Sequence, residues 1–123
     1  MRAIFLFLAL AACNSPAAEV RVVDGDTLVL DGERIRLNGI DAPESDTISG
    51  EVATRFMRHL VDGRPVVVTE RFKKDRYGRT VASVEADEDD LACAMLESGN
   101  AEYVGKWDEE SATIWKCGNV LHN

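Results

Sequence analysis

The stretch "EVRVVDGDTLVLDGERIRLNGI", residues 19 to 40, decides the fold. Val20 and Val22, then Leu28 and Leu30, then Ile35 and Leu37 recur at every second position. A period of two marks half-buried strands, and "DGD" (24–26) and "DGE" (31–33) supply turn chemistry between them. Arg36 falls between Ile35 and Leu37, so its side chain points to the face opposite theirs. Directly after this strand, "DAPE" (41–44) adds the carboxylates of Asp41 and Glu44 around a proline. A charge turned away from the core, on a strand leading to two acids, is what a groove on a barrel surface needs.

From Ser49 the period changes. Val52, Phe56, Leu60 and Ala53, Met57, Val61 form an apolar helical stripe, with Ser49 as N-cap, Glu51 in the first turn and Gly63 as the stop. "PVVVTERF" (65–72) reads as a fourth strand opened by proline, "KKDRYGR" (73–79) as a polar loop, and "RTVASVEA" (79–86) as a fifth strand. "DEDD" (87–90) then leads into a helix over 91–98 with Gly99 beyond it. A third helix is placed around 108–116. Five strands, with helices after the third and the fifth, predict an α+β fold: a five-stranded OB-fold Greek-key β-barrel carrying two or three α-helices. Trp107 and Trp115 read as packing residues ahead of base-stacking platforms. His59 and His122 have no ligand partner at useful spacing, and the acidic run 85–90 reads as a solvated loop and helix start.

The first nineteen residues, "MRAIFLFLALAACNSPAAE", hold one arginine and an apolar run from Ala3 to Ala12. That run has the length of a signal-peptide core and is short for a membrane span. "LAAC" (10–13) looks like a lipobox, which predicts a lipoprotein signal over 1–12 with Cys13 acylated. Ordinary cleavage after Ala17 and an uncleaved segment are the alternatives. The expected organisation is a signal peptide over 1–17 and a single domain over 18–123, extracytoplasmic, membrane-anchored or periplasmic or secreted. In an oxidising compartment Cys93 and Cys117 predict a disulfide, two buried thiols being the alternative.

Charge is uneven. The chain carries 14 Lys/Arg against 22 Asp/Glu, a net −8, which argues against a general nucleic-acid coat. Yet residues 51–80 hold eight Lys/Arg against four acids, which leaves room for a local cationic site, while 81–123 is strongly acidic.

"VVDGDTLVL" (22–30), "IRLNGIDAPE" (35–44) and "KDRYGRTVA" (74–82) together resemble, in order and spacing, three motif blocks of the staphylococcal nuclease (thermonuclease) family. The resemblance implies that Asp26 and Asp41, with the backbone carbonyl of Ala42, hold a Ca²⁺ ion. Hard cations take oxygen ligands, so the donor type agrees. It implies Glu44 as the group that acts as, or orients, the general base for an attacking water. Arg36 and Arg79 would grip the scissile phosphate with planar forks that match its oxygens. Arg76 and Tyr77 would contact a neighbouring phosphate, and Tyr103 is the candidate for flanking a nucleotide. The chain departs from the best-studied relatives in having Ala42 for threonine and only "SDTIS" (45–49) between Glu44 and the helix. The implied protein is an exported, Ca²⁺-dependent, sequence-nonspecific nuclease, hydrolysing DNA and RNA to 3′-phosphate ends and sufficient as a monomer. Its membrane contact would be only an N-terminal lipid anchor. The alternative is a non-catalytic OB-fold module, an envelope lipoprotein binding nucleic acid or protein.

Overall fold

Two Asp-Gly turns fold the first three strands into antiparallel hairpins: β1 (Val20–Asp24), β2 (Thr27–Leu30) and β3 (Glu33–Leu37). At the second turn Asp31 and Gly32 both take positive φ, 49° and 81°, the left-handed pair that matches the twist of a two-residue hairpin. The computed structural model describes residues 18–121. The expected signal peptide, the acylated Cys13 and His122 lie outside the described residues.

The chain continues through β4 (Ile40–Asp41), α1 (Ile48–Val61), β5 (Val66–Lys74), β6 (Thr80–Ala86), β7 (Asp89–Asp90), α2 (Leu91–Glu97), β8 (Glu102–Tyr103) and α3 (Ala112–Leu121). The main sheet runs β1-β2-β3-β6-β5, and β7 extends it along β6. β3 and β6 pair in parallel, which requires the long crossover that α1 and β5 supply. This is the strand set and order of an OB-type Greek key, as expected from the pattern. β4 and β8 form a separate two-stranded ribbon.

Leu28, Ile35, Leu37 and Ile40 from the strands meet Ala53 and Met57 of α1 and Leu91 and Met95 of α2 in one buried core. The helical stripe read from the sequence packs on it through Ala53, Met57, Phe56, Leu60 and Val61, whereas Val52 is exposed. α1 begins two residues earlier than Ser49 implies: the N-cap is Thr47, whose hydroxyl accepts from the Gly50 N–H at 3.0 Å. α3 begins later than residue 108. Asp108 caps it from outside, accepting from the Thr113 N–H at 2.9 Å and the Ile114 N–H at 3.0 Å. Between cap and helix, Glu110 and Ser111 sit at φ 56° and 54°, which bends the chain out of helical geometry. Thr113, bonded to Asn38, and Cys117, joined to Cys93 of α2, are the buried residues of α3, and Trp115 between them points outward and is 84% exposed, not packed as expected. Among the described residues no helix is long and apolar enough to cross a membrane.

Cys93 of α2 and Cys117 of α3 form the disulfide, with Cα atoms 5.2 Å apart and 24 residues of separation. For a loop of that size the chain-entropy model gives roughly 3 kcal/mol. Replacing both cysteines by serine is expected to lower the unfolding free energy by about that amount. Urea unfolding of the two forms checks it, and equal midpoints would contradict it.

Candidate active site

The turn between β1 and β2 carries Asp24 and Asp26 to the rim of a groove of about 1000 Å³. Gly25 between them has no room for a side chain, because a Cβ would sit 2.8 Å from the Ala42 Cβ and 2.9 Å from the Ala53 Cβ. This close approach seats the turn on the start of the 42–47 loop. Asp26 is buried, and both of its oxygens are engaged. Oδ2 accepts from the Ala42 N–H at 2.9 Å, and Oδ1 accepts from the Thr27 hydroxyl at 2.9 Å. The second bond ties β1–β2 to itself, and the first ties it to the segment after β4.

Arg36 lies opposite Thr27 in the ladder and turns away from Ile35 and Leu37, as its strand position predicts. Its Nη1 donates to the carbonyls of Ile40 (2.8 Å) and Leu37 (3.2 Å), and its Nη2 lies 3.8 Å from Asp26 and 3.7 Å from Asp41. Arg79, immediately before β6, donates from Nε to Asp75 at 2.7 Å and from Nη1 to the Thr27 hydroxyl at 3.2 Å. Thr27 therefore links Arg79 to Asp26, and Asp26 links both to Arg36. Asp75 is a residue the motif reading passed over. Burial raises its proton affinity, but the Arg79 N–H and guanidinium and the Tyr77 N–H together hold its carboxyl below the usual range. Its signal was the four-residue spacing to Arg79 within "KDRYGR".

Glu44 stands exposed at the groove, and its backbone is fixed more firmly than its side chain. Its carbonyl accepts from the Thr47 hydroxyl (2.7 Å) and N–H (3.0 Å). The first turn of α1 lies so close that a Cβ on Gly50 would fall 1.7 Å from that carbonyl oxygen. Only glycine fits there, so the short "SDTIS" loop is a tight, specified turn. Arg76 and Tyr77 stand at the other wall, with the Arg76 guanidinium donating to the Tyr77 hydroxyl at 2.6 Å and lying over the ring.

Trp107 is the largest departure from the sequence reading. It is 41% exposed and lines the groove, with the Arg36 guanidinium 4.9 Å from its ring centre. It arrives on a strap formed by residues 104–111. The strap is held by Asn38, whose amide donates to Asp108 (2.9 Å) and whose oxygen accepts from the Glu109 N–H (2.9 Å). Tyr103 is not among the residues that line the groove. Its hydroxyl donates to Asp108 at 2.8 Å, and burial together with that carboxylate pushes its pKa up to about 12.

The carboxylates oppose one another. Burial, then the neighbouring Asp26, pushes Asp24 up to about 6, and burial followed by Asp26 also raises Asp41. Asp24, which reads as a turn former in isolation, thus belongs to the same charged cluster. Three aspartates and Glu44 line one groove and offer hard oxygen donors, the donor type that a Ca²⁺-type ion takes.

An OB-type sheet thus carries acids and two oriented arginines into one groove. The chain belongs to the Staphylococcal nuclease homologue family, whose model matches residues 34–117. It is 49% identical over 71 residues to an uncharacterized endonuclease of Escherichia coli, covering 54% of this chain and 46% of that protein. It is 35% identical over 92 residues to the thermonuclease of Staphylococcus intermedius, covering 66% and 55% respectively. An uncharacterized endonuclease of Haemophilus influenzae is 33% identical over 106 residues, 80% of this chain and 59% of that protein. The chain spans about half the length of these curated relatives.

The raised Asp24 has a consequence for stability. A carboxyl whose folded pKa is about 6, against an ordinary 3.8, stabilises the fold below pH 3.8, and this contribution is lost as pH rises through 6. Asp24→Asn is expected to stabilise the metal-free protein at pH 7 by on the order of 1–2 kcal/mol, and to give no advantage near pH 3.5. Urea unfolding in excess chelator at the two pH values checks the sign. A loss of stability at pH 7 would contradict it.

Proposed function

We propose that this chain is an exported phosphodiesterase that cleaves DNA and RNA without sequence specificity, using Ca²⁺. The observation that carries the proposal is the linked set Arg36–Asp26–Thr27–Arg79 on the same groove as Asp41 and Glu44. Two guanidinium groups held by protein acceptors present their remaining N–H groups to an anion without reorganising, which favours the five-coordinate phosphorus of the transition state. Asp26 and Asp41, with the Ala42 carbonyl, would hold the ion, which when bound supplies positive charge to a phosphate oxygen and an incoming water. Because a backbone carbonyl is the donor at residue 42, alanine serves there as well as threonine.

Glu44 acts as the general base that takes the proton from the attacking water, or orients that base, and its exposed carboxylate on a rigid backbone suits that role. Arg76 and Tyr77 bind a phosphate next to the scissile one. The 3′-phosphate ends implied by the family follow if the 5′-oxygen is the leaving group. Family membership and the endonuclease and thermonuclease relatives support hydrolysis of phosphodiesters. Export rests on the apolar N-terminal run alone.

Glu44→Gln removes the base and leaves the turn's backbone bonds in place. Its expected effect is a loss of about 10²–10⁴-fold in kcat with an unchanged unfolding midpoint. Single-turnover cleavage of a labelled oligonucleotide, with mass analysis of the product ends, reads both points. Turnover equal to the parent's would remove Glu44 from the mechanism.

A further inference from the structure

One cation of the groove is already occupied by the protein's own acid. In the sheet, Arg36 of β3 lies beside Val81 of β6, and Val81 lies beside Lys73 of β5. All three line the groove, so Lys73 continues the row that starts at Arg36. Two inter-strand steps put the two backbones about 9–10 Å apart, beyond the reach of one phosphate group. The strap crosses this row: Trp107 covers Arg36, and two residues further on Glu109 forms an ion pair with Lys73.

The placement of Glu109 is built in. Its backbone N–H donates to the buried Asn38 side chain at 2.9 Å, and its carbonyl accepts from the Asn38 amide at 3.3 Å. Asp108 before it is fixed by Asn38, Tyr103 and the α3 N–H groups. The chain then turns through two left-handed residues, Glu110 and Ser111, a conformation that persists only where surrounding bonds over-determine it. A carboxylate delivered so deliberately onto a groove lysine occupies the place an incoming phosphate would take.

We propose that Lys73 is a phosphate contact beyond the scissile position and that Glu109 is a latch competing for it, so that the chain favours short substrates over long polyanions. This rests on the nucleic-acid reading of the groove. A short diester engages Arg36 and Arg79 without disturbing the latch, whereas a longer strand gains Lys73 only by displacing Glu109.

The test is a binding cycle on the full chain in excess chelator, where affinity is read without cleavage, using fluorescence anisotropy of a labelled ten-nucleotide DNA strand and of a dinucleotide. Glu109→Gln is expected to raise the preference for the ten-mer over the dinucleotide by about two- to fivefold, the range for a part-exposed ion pair. In a Lys73→Ala background that gain disappears, because the lysine is what the acid withholds. No gain in Glu109→Gln overturns the latch. A gain that persists without Lys73 also overturns it, since general relief of negative charge would then explain the effect. Parallel cleavage in Ca²⁺ separates the two readings: a parent that cleaves while Glu109→Gln shows no gain sinks the latch alone, and a parent that neither binds nor cleaves nucleic acid sinks both.

Discussion

Asp26 is the carboxylate on which the rest of the site depends. A buried carboxylate is costly unless its oxygens are hydrogen-bonded and a cation is near, and Asp26 meets both conditions with groups from three different segments. The Ala42 N–H comes from the loop after β4, the Thr27 hydroxyl from β2, and the guanidinium from Arg36 of β3. Satisfying one side chain therefore fixes the β1–β2 turn against the segment that carries Glu44. It also fixes Thr27 as acceptor for Arg79, and so sets the distance between the two arginines. The crowding of Asp24 and Asp41 around it works against stability in the metal-free protein, which is the common condition of a site kept ready for a charged ligand.

A second buried polar group, Asn38, organises the opposite wall. It follows β3 directly, so the strand that places Arg36 also places the residue that captures the strap. Its amide and oxygen hold Asp108 and Glu109, and its backbone carbonyl accepts from the Thr113 hydroxyl at 2.7 Å. The disulfide fastens the other side of α3 to α2. The acidic C-terminal third is thereby part of the groove, bringing an aromatic ring to one arginine and a carboxylate to one lysine. Of its acids, Glu109 lines the groove, while most of the others are solvated.

The elements with strong local signals were legible from the residues. Period two over 20–37 and the Asp-Gly turns predict the hairpins, and the apolar stripe over 52–61 predicts α1. Asp26 and Arg36 sit inside the hairpins, whereas Asp41, Glu44 and Arg79 lie outside them, and their roles came from the resemblance of the motif blocks to the staphylococcal nuclease family. What the sequence left open depended on particular side-chain partners, near and far along the chain. Thr47 replaces Ser49 as cap because its hydroxyl also bonds Glu44. Trp107 and Tyr103 exchange their expected places because Asn38, some seventy residues from Asp108, draws the strap across the sheet. Neither spacing nor propensity encodes such a contact. Trp115 escaped the packing expectation for a simpler reason: the helix around it is anchored by Thr113 and Cys117, which leaves its own face to solvent.

In the proposed function one groove joins a cation held by acids to a phosphate held by arginines. The most direct measurement is cleavage of a fluorescence-quenched single-stranded DNA by the purified, oxidised chain, in millimolar Ca²⁺ and again with chelator in excess. The proposed function requires hydrolysis with Ca²⁺ and none in chelator. Equal rates in both conditions, or a folded protein that leaves the strand intact in Ca²⁺, would contradict it.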